Sequence, residues 1–132
     1  MQFEINGDIW TVSYKTKQEL IAMYETEYDE KAYYVFGLTQ KPNYCIYINQ
    51  EMIDEQKIKT LKHELVHCYI WEFGLYNAPN YNEEMVCDIV SSSNNMINKI
   101  VEQFIKEMLN KEVINWQKKE LVTRNSKRQR DV

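Results

Sequence analysis

Apolar residues fall in short β-branched and aromatic runs before residue 50 and at three-and-four spacing after it, with one helical interruption near residue 20. This segregation constrains the fold more than any other feature. Short runs punctuated by turn residues suit strands, whereas the later spacing puts apolar side chains on one face of a helix. Strands gathered early and helices gathered late predict an α+β domain, a short antiparallel sheet packed on helices.

Residues 1–14 predict a hairpin, with Phe3, Ile5, Ile9, Trp10 and Val12 around an Asn6-Gly7 pair of the kind two-residue turns prefer. Thr16 and Glu19 have capping-box spacing and open a helix to about Tyr28. Ala32 to Thr39 and Tyr44 to Asn49 predict a second hairpin, turned at Pro42-Asn43. Asp54 is expected to cap a helix from Glu55 to Phe73, with Gly74 ending it. Asn80 and Glu83 repeat the capping spacing and predict another helix from about Tyr81, which the Ser91–Asn95 run is expected to break or kink. From Met96 onward Ile97, Ile100, Val101, Phe104, Met108 and Leu109 form one amphipathic stripe.

With 132 residues, 44% of them hydrophobic, and only 3 Gly and 2 Pro, the chain has the make-up of one globular domain. We place that domain at residues 1–120, followed by a basic, flexible tail at 121–132. The formal charge of −4 conceals an asymmetry: residues 1–110 hold 9 Lys/Arg against 17 Asp/Glu, and residues 111–132 hold 7 against 3. An acidic body repels phosphate backbones, which leaves the basic tail as the single segment suited to nucleic acid. The longest apolar run, Ala32 to Phe36, falls far short of the roughly twenty residues of a membrane span. The first residues carry acids where a secretion signal is apolar, so a cytoplasmic location is expected. Cys45, Cys68 and Cys87 form no CxxC pair and are read as reduced, packed thiols.

The predicted helix after Asp54 contains His63-Glu64-Leu65-Val66-His67, an HExxH motif. On a helix its histidines lie about 40° apart around the axis and about 6 Å apart along it, so both imidazoles can meet one metal ion. Glu64 is rotated by about 100°, which directs its carboxylate toward a water on that ion and makes it the candidate general base. A catalytic zinc site has three protein ligands and an open position. The chain has 2 histidines, so the third ligand is expected to be a carboxylate. Ile70 and Phe73 stand where a metzincin requires Gly and His, and the missing histidine also argues against an SprT-like site. Glu84 and Asp88 share a helical face downstream. Glu84 is the preferred ligand and Asp88 the acceptor of a ligand imidazole N–H; Glu83 competes for the third position, although capping and the helix dipole also account for it.

HELVH followed by Asn-Glu-Glu-x-x-x-Asp resembles the gluzincins, in which a Glu from a second helix completes the HExxH site. The small size, the sheet ahead of the motif helix and the short gap between helices are similar to the ImmA/IrrE-type metallopeptidases, over roughly residues 32–95. Val66, Val86 and Cys87 depart from the small residues usual there. The resemblance implies a zincin-like domain that binds Zn2+ through His63, His67 and Glu84, with Glu64 as base and Asp88 supporting a histidine. It further implies site-specific cleavage of a protein substrate such as a DNA-binding repressor. Tyr76 or Tyr81 is the expected oxyanion donor, and the strand at Tyr44–Asn49 is a candidate edge for pairing with substrate. Two other readings are a non-catalytic zinc-binding interaction module and a small regulator that grips nucleic acid through its basic tail.

Overall fold

In a computed structural model, β1 (Gln2–Ile5) and β2 (Asp8–Lys15) form the first hairpin. The residues described are 1–77 and 83–130, without the side chains of Tyr76, Glu83, Gln129 and Arg130. Asn6 and Gly7 turn the hairpin with φ of 51° and 85°, the left-handed pair that a type I′ turn requires and that Asn-Gly supplies at least cost. Helix α1 (Lys17–Tyr28) opens on a complete capping box, in which Thr16 accepts from the Glu19 N–H at 3.2 Å and the Glu19 carboxylate reaches back to Thr16. Asp29, at φ 49°, ends it.

The second hairpin joins β3 (Gly37–Gln40) to β4 (Cys45–Asn49) through a 3-10 turn at Lys41–Asn43. Its first strand is shorter than the sequence predicts. Asn49 takes the Phe36 carbonyl with its backbone N–H at 3.0 Å and the Val35 carbonyl with its side-chain amide at 3.2 Å. The chain leaves the sheet there, and residues 32–36 run outside any strand.

Strand order is β1-β2-β4-β3, and β2 pairs with β4 in parallel from Thr11↔Cys45 to Lys15↔Asn49. The sheet is therefore mixed, which corrects the antiparallel expectation. Parallel neighbours need a crossover, and α1 lies in the connection from β2 to β4. The same order corrects the reading of Tyr44–Asn49 as an edge: β4 is interior, and β1 and β3 are the two edge strands.

Helix α2 (Asp54–Glu72) packs on β1, β3 and β4, while α1 packs on β3 and β4. Ile53 occupies the cap position without a side-chain bond, so Asp54 is the first helical residue, paired with Lys57 at 3.6 Å. Gly74 follows the helix end at φ 65°. Alternate β3 residues face opposite sides. Leu38 joins Leu20 and Val35 in the cluster under α1, whereas Gly37 and Thr39 lie beneath α2. At the far end of α2, the fully buried Trp10 donates its indole N–H to Glu72 at 2.8 Å.

Helix α3 (Glu83–Arg130) is continuous. The Ser91–Asn95 run does not break it, because Ser92 and Ser93 turn their hydroxyls back on the carbonyls of Asp88 and Ile89, at 2.7 and 2.6 Å. The start predicted at Asn80–Tyr81 lies outside the described residues. The chain divides into two compact units, Met1–Val101 and Glu102–Val132, where the sequence suggested a boundary near residue 120. Residues 121–130 belong to α3. Among the described residues no helix is long and apolar enough to cross a membrane. Cys45 and Cys68 are buried as expected, but Cys87 is exposed on α3. The architecture is α+β, with a four-stranded mixed sheet and three α-helices among the described residues.

Candidate metal centre

The helical spacing of His63 and His67 brings their rings into a T-shaped pair with centroids 5.0 Å apart. Their Nε2 atoms converge to 3.3 Å. Two nitrogens held at about 2.0–2.1 Å by one tetrahedral zinc stand about 3.3–3.4 Å apart, so the pair fits two corners of such a site. Without an ion the same spacing suits an N–H···N bond between the rings. Both histidines are reachable from solvent, and Leu61, Leu65 and Cys68, on other faces of α2, are sealed in the core.

Partial desolvation is the main influence that pushes protonation of His67 below the ordinary histidine range. The charge of Glu64 opposes that shift, and His63 and Lys41 reinforce it. A ring kept neutral retains the lone pair that a metal needs.

Glu64 is turned inward. It is a buried acid, 7% exposed, and its carboxylate accepts the hydroxyl proton of Thr39 on β3. Gly37, two residues earlier, makes that approach possible. A Cβ added there would meet Thr60 Cγ2 at 2.6 Å, the Tyr47 carbonyl oxygen at 3.0 Å and Glu64 Cγ at 3.4 Å. A glycine at the sheet edge therefore lets α2 settle close enough for Thr39 to orient Glu64.

His63, Glu64 and His67 line one cavity of about 650 Å³, walled by α1, the 30–36 segment, β3 and α2. Tyr28, from the last turn of α1, shares that wall. Burial first, and then the charges of Glu27 and Glu64, push its phenol above the usual range.

The downstream carboxylates are placed differently. Glu84 and Asp88 are both exposed, on the first turns of α3. Tyr69, two residues past His67, meets Ser92 at 2.9 Å and ties this part of α3 to α2. Among the described residues no three His, Cys, Asp or Glu side chains gather around one point suited to a metal. The Glu83 side chain lies outside the described residues, as do the Tyr76 side chain and Tyr81.

Sequence reasoning missed Gly37, Thr39 and Tyr28. A glycine within a β-favouring run was a signal for close backbone approach, but nothing along the chain pairs Thr39 or Tyr28 with Glu64. Comparisons of the chain with family models, curated proteins and solved structures return no match.

Proposed function

We propose that this chain is a zinc-dependent metallopeptidase, in which His63 and His67 hold the ion, Glu84 is the third ligand and Glu64 is the general base. The convergence of the two Nε2 atoms to 3.3 Å beside a buried, oriented carboxylate is the observation that carries this reading. When bound, zinc would polarise the scissile carbonyl and acidify the attacking water. Glu64 takes the proton from that water and delivers it to the leaving amine, with Thr39 holding the carboxylate in place. Tyr28 serves as the donor to the developing oxyanion, since it lines the same cavity as the histidine pair and feels the charge of Glu64. Asp88 supports a ligand imidazole. The edge of β3 lies beside the cavity, which favours an extended peptide laid along β3 rather than along β4. The zincin-like class and a repressor-like protein substrate remain part of this proposal through the family resemblance, and a cytoplasmic setting completes it.

The exposure of Glu84 favours one second reading, a non-catalytic module that holds metal through the histidine pair and binds a partner over it. One experiment separates the two. Untagged protein reconstituted with zinc is assayed on unfolded casein beside Glu64→Gln, with metal counted per chain in both. We expect one zinc in each and a loss of hydrolysis of about 100- to 10,000-fold in the variant. Equal metal with no hydrolysis by either protein supports the module, and no zinc in the wild type overturns both readings.

A further inference from the structure

The cavity beside the histidine pair carries a charge pattern opposite to that of its surroundings. Residues 1–110 hold 17 acids against 9 bases, yet the charged residues lining the cavity are Lys31, Lys41 and Lys59 against Glu30 and Glu64. Each acid has a hydroxyl partner that orients it and leaves its charge in place. Glu30 accepts the Tyr24 hydroxyl at 3.3 Å, and Glu64 is buried against Thr39. Three lysines therefore face two carboxylates, and among the described residues Lys31 and Lys41 form no ion pair. Lys31 lies over the Tyr33 ring at 5.4 Å and Lys41 over the Trp71 ring at 5.5 Å, contacts that leave the ammonium charge in place. Lys59 has an exposed ion pair with Glu55 at 3.7 Å, which solvent screens.

A second feature adjoins the lysines. The segment that leaves the sheet at residues 32–36 exposes Tyr33 (80%), Tyr34 (43%) and Phe36 (51%), all on the cavity wall. Tyr34 and Phe36 meet edge to face at 4.8 Å. Exposed aromatic side chains clustered at a cleft mark a surface built for contact. Apolar rings beside cations complement a ligand that carries both an apolar side chain and a negative charge.

Resting on the metallopeptidase reading, we propose that this cavity selects acidic peptides, with Lys41 and Lys59 reading Asp or Glu side chains and the Tyr33–Phe36 segment receiving an adjacent aromatic or aliphatic side chain. Lys41 is the principal determinant. It is half-buried just past β3 and lines the same cavity as His63 and His67, so a carboxylate bound there shares the cavity with the histidine pair. A peptide with basic flanks meets three like charges at the same positions.

The test uses short synthetic peptides that share an aromatic-aliphatic centre and differ in flanks of Asp/Glu, Asn/Gln or Lys/Arg. Binding is read by fluorescence anisotropy on zinc-loaded Glu64→Gln, and cleavage by mass spectrometry on the zinc-loaded wild type. Acidic flanks should improve binding by about tenfold or more over basic flanks at low salt, and added salt should erode the difference. Lys41→Glu with Lys59→Glu should abolish or invert the preference, while Lys41→Met with Lys59→Met, which keeps the aliphatic contacts, should flatten it. Equal binding of acidic and basic sets, or a preference unchanged by the charge reversal, overturns the inference. If the wild type cleaves neither these peptides nor casein, the peptidase reading fails; the anisotropy comparison still decides the charge selectivity.

Discussion

The α2–β3 side of the candidate site and the α3 side are built in different ways. On the first, Glu64 is buried, bonded to Thr39 and seated over Gly37, and the two histidines converge within hydrogen-bonding distance. On the second, Glu84 and Asp88 stand exposed on the opening turns of α3, fastened to α2 through the Tyr69–Ser92 contact. The first half is held by sheet packing whether or not an ion is present. The second offers carboxylates that solvent already satisfies, so ordering them toward an ion has an entropic cost that ion binding must offset.

That contrast sets what each substitution does. The largest effect is expected at Glu84. Glu84→Ala should abolish stoichiometric zinc, Asp88→Ala should weaken zinc binding by about 10- to 100-fold, and Glu83→Ala should leave it near the wild-type level. Elemental analysis and competition with a chelator read all three. Retained zinc in Glu84→Ala, or loss in Glu83→Ala, would move the third ligand and break the comparison as drawn.

A smaller effect is expected from the packed half. Gly37→Ala forces a methyl against Thr60 Cγ2 and the Tyr47 carbonyl, which should destabilise the fold by about 1–3 kcal/mol and lower hydrolysis further by displacing Glu64. Thr60→Ser removes the closer of those contacts. In the double variant it should recover part of the stability measured by urea unfolding, leaving the remainder to the Tyr47 carbonyl. Strict additivity would show that α2 does not depend on the glycine for its approach.

The smallest effect is a pH dependence in the metal-free protein. His67 in the folded chain resists protonation relative to the reference value of 6.5, so the unfolded chain binds more protons as the pH falls past that value. Stability contributed by the neutral ring is present above pH 6.5 and is lost progressively below it. Thermal unfolding of chelated protein should show a modest fall in that window, reduced in His67→Gln. Identical profiles for the two proteins would mean that the ring is not desolvated enough to matter.

Much of the fold was legible along the chain because its signals are local. The Asn6-Gly7 turn, the Thr16–Glu19 capping box and the stop at Gly74 each depend on neighbours within a few residues, and all three occur. Three expectations failed, one to a distant partner and two within a helix. Ala32–Phe36 has strand-like residues, but Asn49 draws the Val35 and Phe36 carbonyls and ends the ladder. The Ser91–Asn95 run resembles a helix breaker, but its hydroxyls bond the preceding turn. Cys87 resembles a packed thiol, but its position on α3 faces solvent.

The sequence by itself determined the α+β order of elements and the placing of His63, Glu64 and His67 on one helix, since helical spacing alone brings positions 63 and 67 together. Only the tertiary structure decided that β3, not β4, is an edge strand, that Gly37 admits α2, that Thr39 orients Glu64 and that lysines and aromatic rings wall the cavity. Those relations join residues as far apart as Tyr28 and His67. No local period encodes such pairings, because they exist only once the helices have packed onto the sheet.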